Sequence, residues 1–254
     1  MIDINTVKDF WERHVNNEYY TRAERRSSSY FSEIEAKRYR HHYHLLELFE
    51  RLRGEPVTDR NLLEIGCGIG IDTLMLAALG FREVVGIDLS ETAIDIGRNN
   101  AETKNVTNVR FERANGENLN FPDECFDFVY SFGVIHHTPS IKNAIAEIHR
   151  VLKPAGRAMV MIYHRHSLVN LVHTVLRLPY ESPRSLQDHC PIVNRYTRRE
   201  ARALFSAFAK INIHTDYPFT YGMRYVTGFL PILFKRILGR VVGWHLMIDA
   251  RKAA

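Results

Sequence analysis

Three cysteines in 254 residues, Cys67, Cys125 and Cys190, stand far apart with no Cys-x-x-Cys pair. That spacing supports neither a disulfide framework nor a zinc site, and no metal is expected. The chain also lacks a clean apolar run. Its most apolar segment, Tyr225 to Val242, is broken by Pro231, Lys235, Arg236, Arg240 and two glycines, whereas a spanning helix needs ~20 nearly uninterrupted apolar residues. Three roles remain for it: a cap that buries a lipophilic substrate, a subunit contact, or an interfacial basic amphipathic piece. Packing as a cap or contact is expected first, with peripheral membrane contact through 225–242 as the alternative. Met1-Ile2-Asp3-Ile4 is not a basic stretch followed by an apolar one, so it does not read as a signal peptide, and a reducing cytoplasm is the expected home. There is no internal repeat and no low-complexity segment. The formal charge of +5 comes from dispersed Lys and Arg, with no basic stretch interleaved with aromatics. A small-molecule partner is therefore expected and nucleic acid is not, the chain being a monomer or homodimer.

What is present is ordinary in bulk and specific in one place. Apolar content of 45% with 25% charge suits one large α/β domain with additions. Within it, the run Leu62-Leu63-Glu64-Ile65 ends in Gly66-Cys67-Gly68-Ile69-Gly70, a helix pattern follows, and a second run, Val84-Val85-Gly86-Ile87, delivers Asp88 at its end. A Gly-x-Gly-x-Gly turn adopts angles closed to other residues and lets a ligand lie against the main chain. An acid at the tip of the next strand can accept hydrogen bonds from ribose hydroxyls. The dinucleotide fingerprint requires its third glycine one place later, where Ile71 stands, and a pyrophosphate disfavours the acid at Glu64. S-adenosylmethionine has no phosphate and carries an ammonium, so this spacing favours it over NAD.

Taken in order, residues 4–20 have Ile4, Val7, Phe10, Trp11 and Val15 at helical spacing, and a second helix is expected from Phe31 to Leu52 with Gly54-Glu55-Pro56 as its stop. Both precede the first strand and are placed to fold over the mouth of the site. His41, His42 and His44 cluster in the second helix, where His41 and His44 would share a face, as a surface or cap-facing group. Strands are expected at 61–66, 84–89, 109–114, 126–132 and 157–163, and helices at 70–80, 91–103 and 140–152. After Ser167 come a short helix to Leu178, a loop from Pro179 to Pro191 and a capping box, Thr197-Arg198-Arg199-Glu200. A strand at 210–215 and a final antiparallel strand in Trp244-His245-Leu246-Met247-Ile248 follow. The alternation predicts a doubly wound parallel sheet with its ligand at the carboxyl ends of the strands.

Three further segments accompany the opening pair: Ala114-Asn115-Gly116-Glu117, the strand and exit from Phe126 to His137, and Leu152-Lys153-Pro154-Ala155-Gly156. Together the five resemble the ordered motifs of Class I S-adenosylmethionine-dependent methyltransferases, in the small-molecule branch called methyltransferase type 11, over roughly residues 57–165. The resemblance implies a seven-stranded, mostly parallel sheet in the order 3-2-1-4-5-7-6, with S-adenosylmethionine as cofactor and S-adenosylhomocysteine as product. The chain then divides into an N-terminal helical cap (1–56), a cofactor-binding core (57–165), a cap or insertion with the sixth strand (166–242), and the final strand (243–254). It further implies that Glu64, Gly66, Gly68 and Gly70 shape the methionine end of the pocket, that Asp88 holds the ribose, and that Leu89 lies beside the adenine. Asn115, Gly116 and Glu117 would reach the adenine edge, although Asn115 stands where many relatives have a charged residue. Ser131 and Phe132 would border the sulfonium, and the pair Arg38-Tyr39 would lie over the site.

Methyl transfer from a sulfonium is an in-line displacement, so the protein has mainly to align the partners and exclude water. Where the nucleophile is protonated, a base is required, and His136, His137, Tyr163, His164 and His166, at the exits of two neighbouring strands, are the candidates. Two functions are open: an active small-molecule methyltransferase, or a catalytically inactive S-adenosylmethionine-binding scaffold of the same fold.

Overall fold

The computed structural model describes residues 2–16, 18–180, 189–219 and 229–254. The centre is a sheet in the order β3-β2-β1-β4-β5-β8-β7, formed by β1 (Asn61–Ile65), β2 (Glu83–Asp88), β3 (Val109–Arg113), β4 (Phe126–Phe132), β5 (Leu152–His164), β7 (Lys210–Asp216) and β8 (His245–Arg251). A two-residue strand, β6 (Arg195–Tyr196), pairs with β5 off this path. Leaving β6 aside, the strand order is the expected one. The first five strands run parallel, and β8 lies antiparallel between β5 and β7.

The parallel strands are apolar on both faces because helices cover both. In β1, Leu62 belongs to one core cluster while Leu63 and Ile65 belong to the other, the period-two alternation of a strand. One cluster lies under α6 (Ile141–Val151), which contributes Ala144, Ile145 and Ile148. The opposite cluster takes residues from α2 (Ser28–His41), α3 (Tyr43–Arg53), α4 (Ile71–Ala77) and α5 (Glu91–Thr103). Each fully buried Leu, Ile or Val adds about 1.5–3 kcal/mol.

Two N-terminal expectations need correction. The first helix, α1 (Ile4–Arg13), stops well short of residue 20: His14 leaves helical geometry at φ −125, ψ 68, and a separate 3-10 turn forms at Glu18–Tyr20. The second expected helix is two, broken at His42 (φ −97, ψ 54), whose N–H still donates to the Arg38 carbonyl. The break re-aims the chain, so that Arg38 and Tyr39 reach the core at Asp72 while Leu45, Phe49 and Leu52 pack beneath the sheet. It also changes the histidine grouping. His41 stacks on Tyr20, and it is His42 that comes beside His44.

Towards the C-terminus, β5 is extended back to Leu152, the helix after it is α7 (Leu168–Val175), and the capping box of α8 (Arg198–Leu204) forms with both reciprocal bonds. The expected loop 179–191 and apolar segment 225–242 lie partly outside the described residues. From the latter, α9 (Ile232–Val242) packs on the end of β7 at Gly239, where a Cβ would stand 2.9 Å from the Tyr217 nitrogen. Ile232, Leu233, Phe234, Ile237 and Val241 of α9 are exposed. No helix of the described residues is long and apolar enough to cross a membrane.

Candidate methyl-donor site

The strand order turns back between β1 and β4, and a cleft opens at that switch point beside the carboxyl end of β1. Gly66, Gly68 and Gly70 all have positive φ, at 78, 52 and 77 degrees. The three are not equivalent. A Cβ at Gly66 would stand 2.2 Å from the Val134 side chain, and one at Gly70 would stand 2.6 Å from the Phe111 ring, so those two glycines serve packing. A Cβ at Gly68 would meet no protein atom within 4 Å. Gly68 is where the backbone is open to a ligand.

Asp88 ends β2 across from this turn. The Gly68 N–H donates to its Oδ2 and the Ser90 N–H to its Oδ1, both at 3.0 Å. Burial raises the carboxyl's pKa, and the backbone donors work against that rise. Glu64 is 3% exposed and accepts the Thr73 hydroxyl at 2.6 Å. Burial, and next the negative charge of Asp72, push its pKa up to about 8. It is a buried acid on the cleft wall whose ionised form a ligand's cation would favour.

Asp72 itself, together with Thr73 and Tyr130, carries a role that sequence reasoning did not assign. Its carboxylate receives the Arg38 guanidinium through Nε (2.7 Å) and Nη2, along with the hydroxyls of Tyr39 (3.1 Å) and Tyr130 (3.0 Å). This network ties α2 to the first turn of α4. The signal available in advance was the adjacency of Asp72 to the glycine turn, paired with an arginine and a tyrosine side by side upstream.

Of the residues proposed from sequence, Arg38, Glu64, Gly66, Gly68, Asp88, Leu89, Gly116, Phe132 and His137 line the cleft, joined by Val7, Trp11, Val15 and Asn16 from the N-terminal segment. The others are placed around it. Tyr39 is turned to Asp72 and Gly70 packs on Phe111. The Asn115 side chain accepts the Glu117 N–H, and Glu117 accepts the Ser140 N–H at the start of α6. Ser131 is fully buried and donates to the Ile65 carbonyl. His136, also fully buried, packs 4.0 Å from the Tyr163 ring, and burial holds it well below the ordinary histidine pKa. Tyr163 stacks on Trp244 at 4.2 Å. His164 donates through Nδ1 to the Gly243 carbonyl, and His166 is exposed.

His137 differs from the other four base candidates in reaching the cleft. Its Nδ1 lies 2.7 Å from the Ile192 carbonyl, and since a carbonyl only accepts, Nδ1 carries the hydrogen. In the neutral ring the lone pair is then on Nε2, the form a general base requires.

Residues 63–160 match the family profile described as "Methyltransferase domain". The uncharacterized methyltransferase YcgJ of Bacillus subtilis is 31% identical over 106 residues, 42% of each chain. The ubiquinone/menaquinone biosynthesis C-methyltransferase UbiE of a Marinomonas species is 27% identical over 188 residues, 72% of each. In three dimensions, a crystal structure of an S-adenosylmethionine-dependent methyltransferase from Thermotoga maritima aligns over 97% of this chain and 99% of its own, with a TM-score of 0.62 at 20% identity. The match thus spans less than half of the YcgJ chain, while the fold is shared along almost the whole length of the Thermotoga protein.

Proposed function

We propose that this chain is a Class I S-adenosylmethionine-dependent methyltransferase, a reading supported by the match of residues 63–160 to the methyltransferase-domain profile, and that it transfers a methyl group to an N-, O- or C-nucleophile of a small-molecule metabolite, polar and aromatic or lipophilic. The observation that carries the reading is the convergence of Gly68, Asp88, Glu64 and His137 on one cleft at the switch point of the sheet.

S-adenosylmethionine, when bound, supplies an activated methyl on a sulfonium and leaves as S-adenosylhomocysteine. Asp88 offers its carboxylate to the ribose hydroxyls, and Gly68 lets the ligand approach the main chain. Glu64 provides the negative charge that an amino-acid ammonium needs in a buried place. Phe132 presents an aromatic ring, whose face attracts a sulfonium as it would any cation. Val7, Trp11 and Val15 exclude water from the cleft, which matters for a displacement that bulk water would otherwise intercept. His137 takes the acceptor's proton through Nε2 where the nucleophile carries one.

A screen of metabolite pools with methyl-labelled S-adenosylmethionine tests the proposal. A labelled mass gain in one compound, dependent on the protein, is expected and names the acceptor. Tight S-adenosylmethionine binding with no labelled product in any pool would favour the inactive scaffold instead.

A further inference from the structure

Two neighbouring histidines and one distant in sequence meet beside Phe132. His42 stands at the break between α2 and α3, His44 in the first turn of α3, and His245 opens β8. One nitrogen from each lies within 4.8 Å of the others, and His245 Nδ1 is 3.1 Å from His44 Nε2. Two nitrogens bound to one tetrahedral zinc, at about 2.0–2.1 Å each, stand about 3.3 Å apart. In an unbroken helix His42 and His44 would point to nearly opposite sides, because residues two apart do not share a face. The non-helical φ and ψ at His42 bring their ring centroids to 5.8 Å.

We propose that His42, His44 and His245 form a binding site for a divalent transition-metal ion of the zinc, cobalt or copper class. The surroundings are those of a built site. His44 and His245 are each 3% exposed. The Nδ1 atom of His42 is buried with no hydrogen-bond partner among the described residues, an arrangement that interiors avoid unless something else satisfies the ring. The donor set is imidazole throughout, with no thiolate or carboxylate in the group, which suits zinc or copper and not calcium or magnesium. The Arg38 guanidinium near these rings is paired with Asp72 through a two-point contact.

The location gives the ion a use. All three rings pack on Phe132, with centroids 5.2 to 5.8 Å away, and Phe132 lines the methyl-donor cleft. Three protein ligands leave a fourth position for water or for an oxygen, nitrogen or sulfur of an acceptor. This site goes beyond the methyl-transfer reading and does not depend on it.

Chelator-stripped protein is titrated with Zn²⁺ by calorimetry and with Co²⁺ by visible absorption. Uptake of one ion per chain is expected. His44→Gln and His245→Gln, each checked for retained S-adenosylmethionine binding, are expected to weaken uptake at least about tenfold, and His166→Asn to leave it unchanged. Because a core substitution can unfold the chain by itself, the wild-type protein is also loaded with Cu²⁺ and examined by pulsed electron paramagnetic resonance, where coupling to imidazole nitrogen is expected. No uptake by wild type, undiminished uptake in a folded glutamine variant, or a bound ion without imidazole coupling would overturn the site. Any of these with S-adenosylmethionine binding intact would leave the methyl-transfer reading standing.

Discussion

At Gly68 one hydrogen atom separates an open approach from a blocked one. With φ at 52 degrees and nothing within 4 Å of a notional Cβ, alanine there costs about 1–2 kcal/mol of left-handed backbone strain and projects a methyl into the ligand's space. Gly68→Ala is expected to lower S-adenosylmethionine affinity with only a modest fall in melting temperature; calorimetry showing equal affinity would place the ligand elsewhere. Glu64 makes a different prediction, about protons. With its pKa near 8 in the folded protein against 4.5 as an ordinary glutamate, the folded state binds more protons than the unfolded chain between those values. Its contribution to stability is therefore greatest at the acid end of that window and is lost as pH rises through it. A ligand ammonium favours the carboxylate, so binding near pH 7 is expected to release a proton, visible as a dependence of the calorimetric heat on the buffer's ionisation enthalpy. Glu64→Gln should abolish that dependence, and its persistence would assign the proton to another group. For His137, replacement by asparagine is expected to cut turnover about 10²–10⁴-fold with a protonated acceptor while sparing cofactor affinity. Equal loss of both would mean His137 shapes the cleft instead.

Charged contacts add to the apolar packing between elements. Arg38 reaches from α2 to Asp72 on α4, and Asp72 is 2% exposed. In Arg38→Ala that carboxylate keeps, among the described residues, two tyrosine hydroxyls, and removing one partner of a buried pair costs about 3–5 kcal/mol. Denaturant melts are expected to show that loss, with only partial recovery in Arg38→Lys, since lysine lacks the two-point fork; a wild-type midpoint in Arg38→Ala would show that α2 is anchored by packing alone. At this scale the sequence was legible where local rules agree. Ser90, Ser140 and Thr197 cap their helices as their residue types suggest, and Asp88 stands at its strand tip. It was less legible where tertiary contacts override propensity. Nothing in the local pattern at His42 marks a helix break; the residues on either side of it are held by distant groups, Arg38 by Asp72 and His44 by His245 of β8. Likewise Ser131 and Glu117 are residue types that suit a ligand, yet the fold turns them to Ile65 and Ser140.

For the whole molecule, the doubly wound parallel sheet followed from alternating apolar runs and helix patterns, because parallel strands buried on both faces leave a strong compositional trace, whereas the order of its strands followed only from the family resemblance. The N-terminal closure was legible only in outline. That Trp11 and Val15 line the cleft depends on how α1 docks, and α1 is fastened by Glu12, which accepts the Thr92 N–H at the start of α5. Such a contact joins residues 80 apart in sequence and has no periodic signature. The acceptor was not legible at all, since methyl transfer constrains the donor pocket by chemistry and the acceptor pocket only by shape. The central claim is therefore the donor site, and calorimetry with S-adenosylmethionine on wild type and Asp88→Ala tests it most directly. One ligand per wild-type chain is expected, weakened by ~1–3 kcal/mol in the variant through loss of charge-assisted hydrogen bonds. No binding to the wild-type chain, or equal affinity in the two proteins, would contradict it.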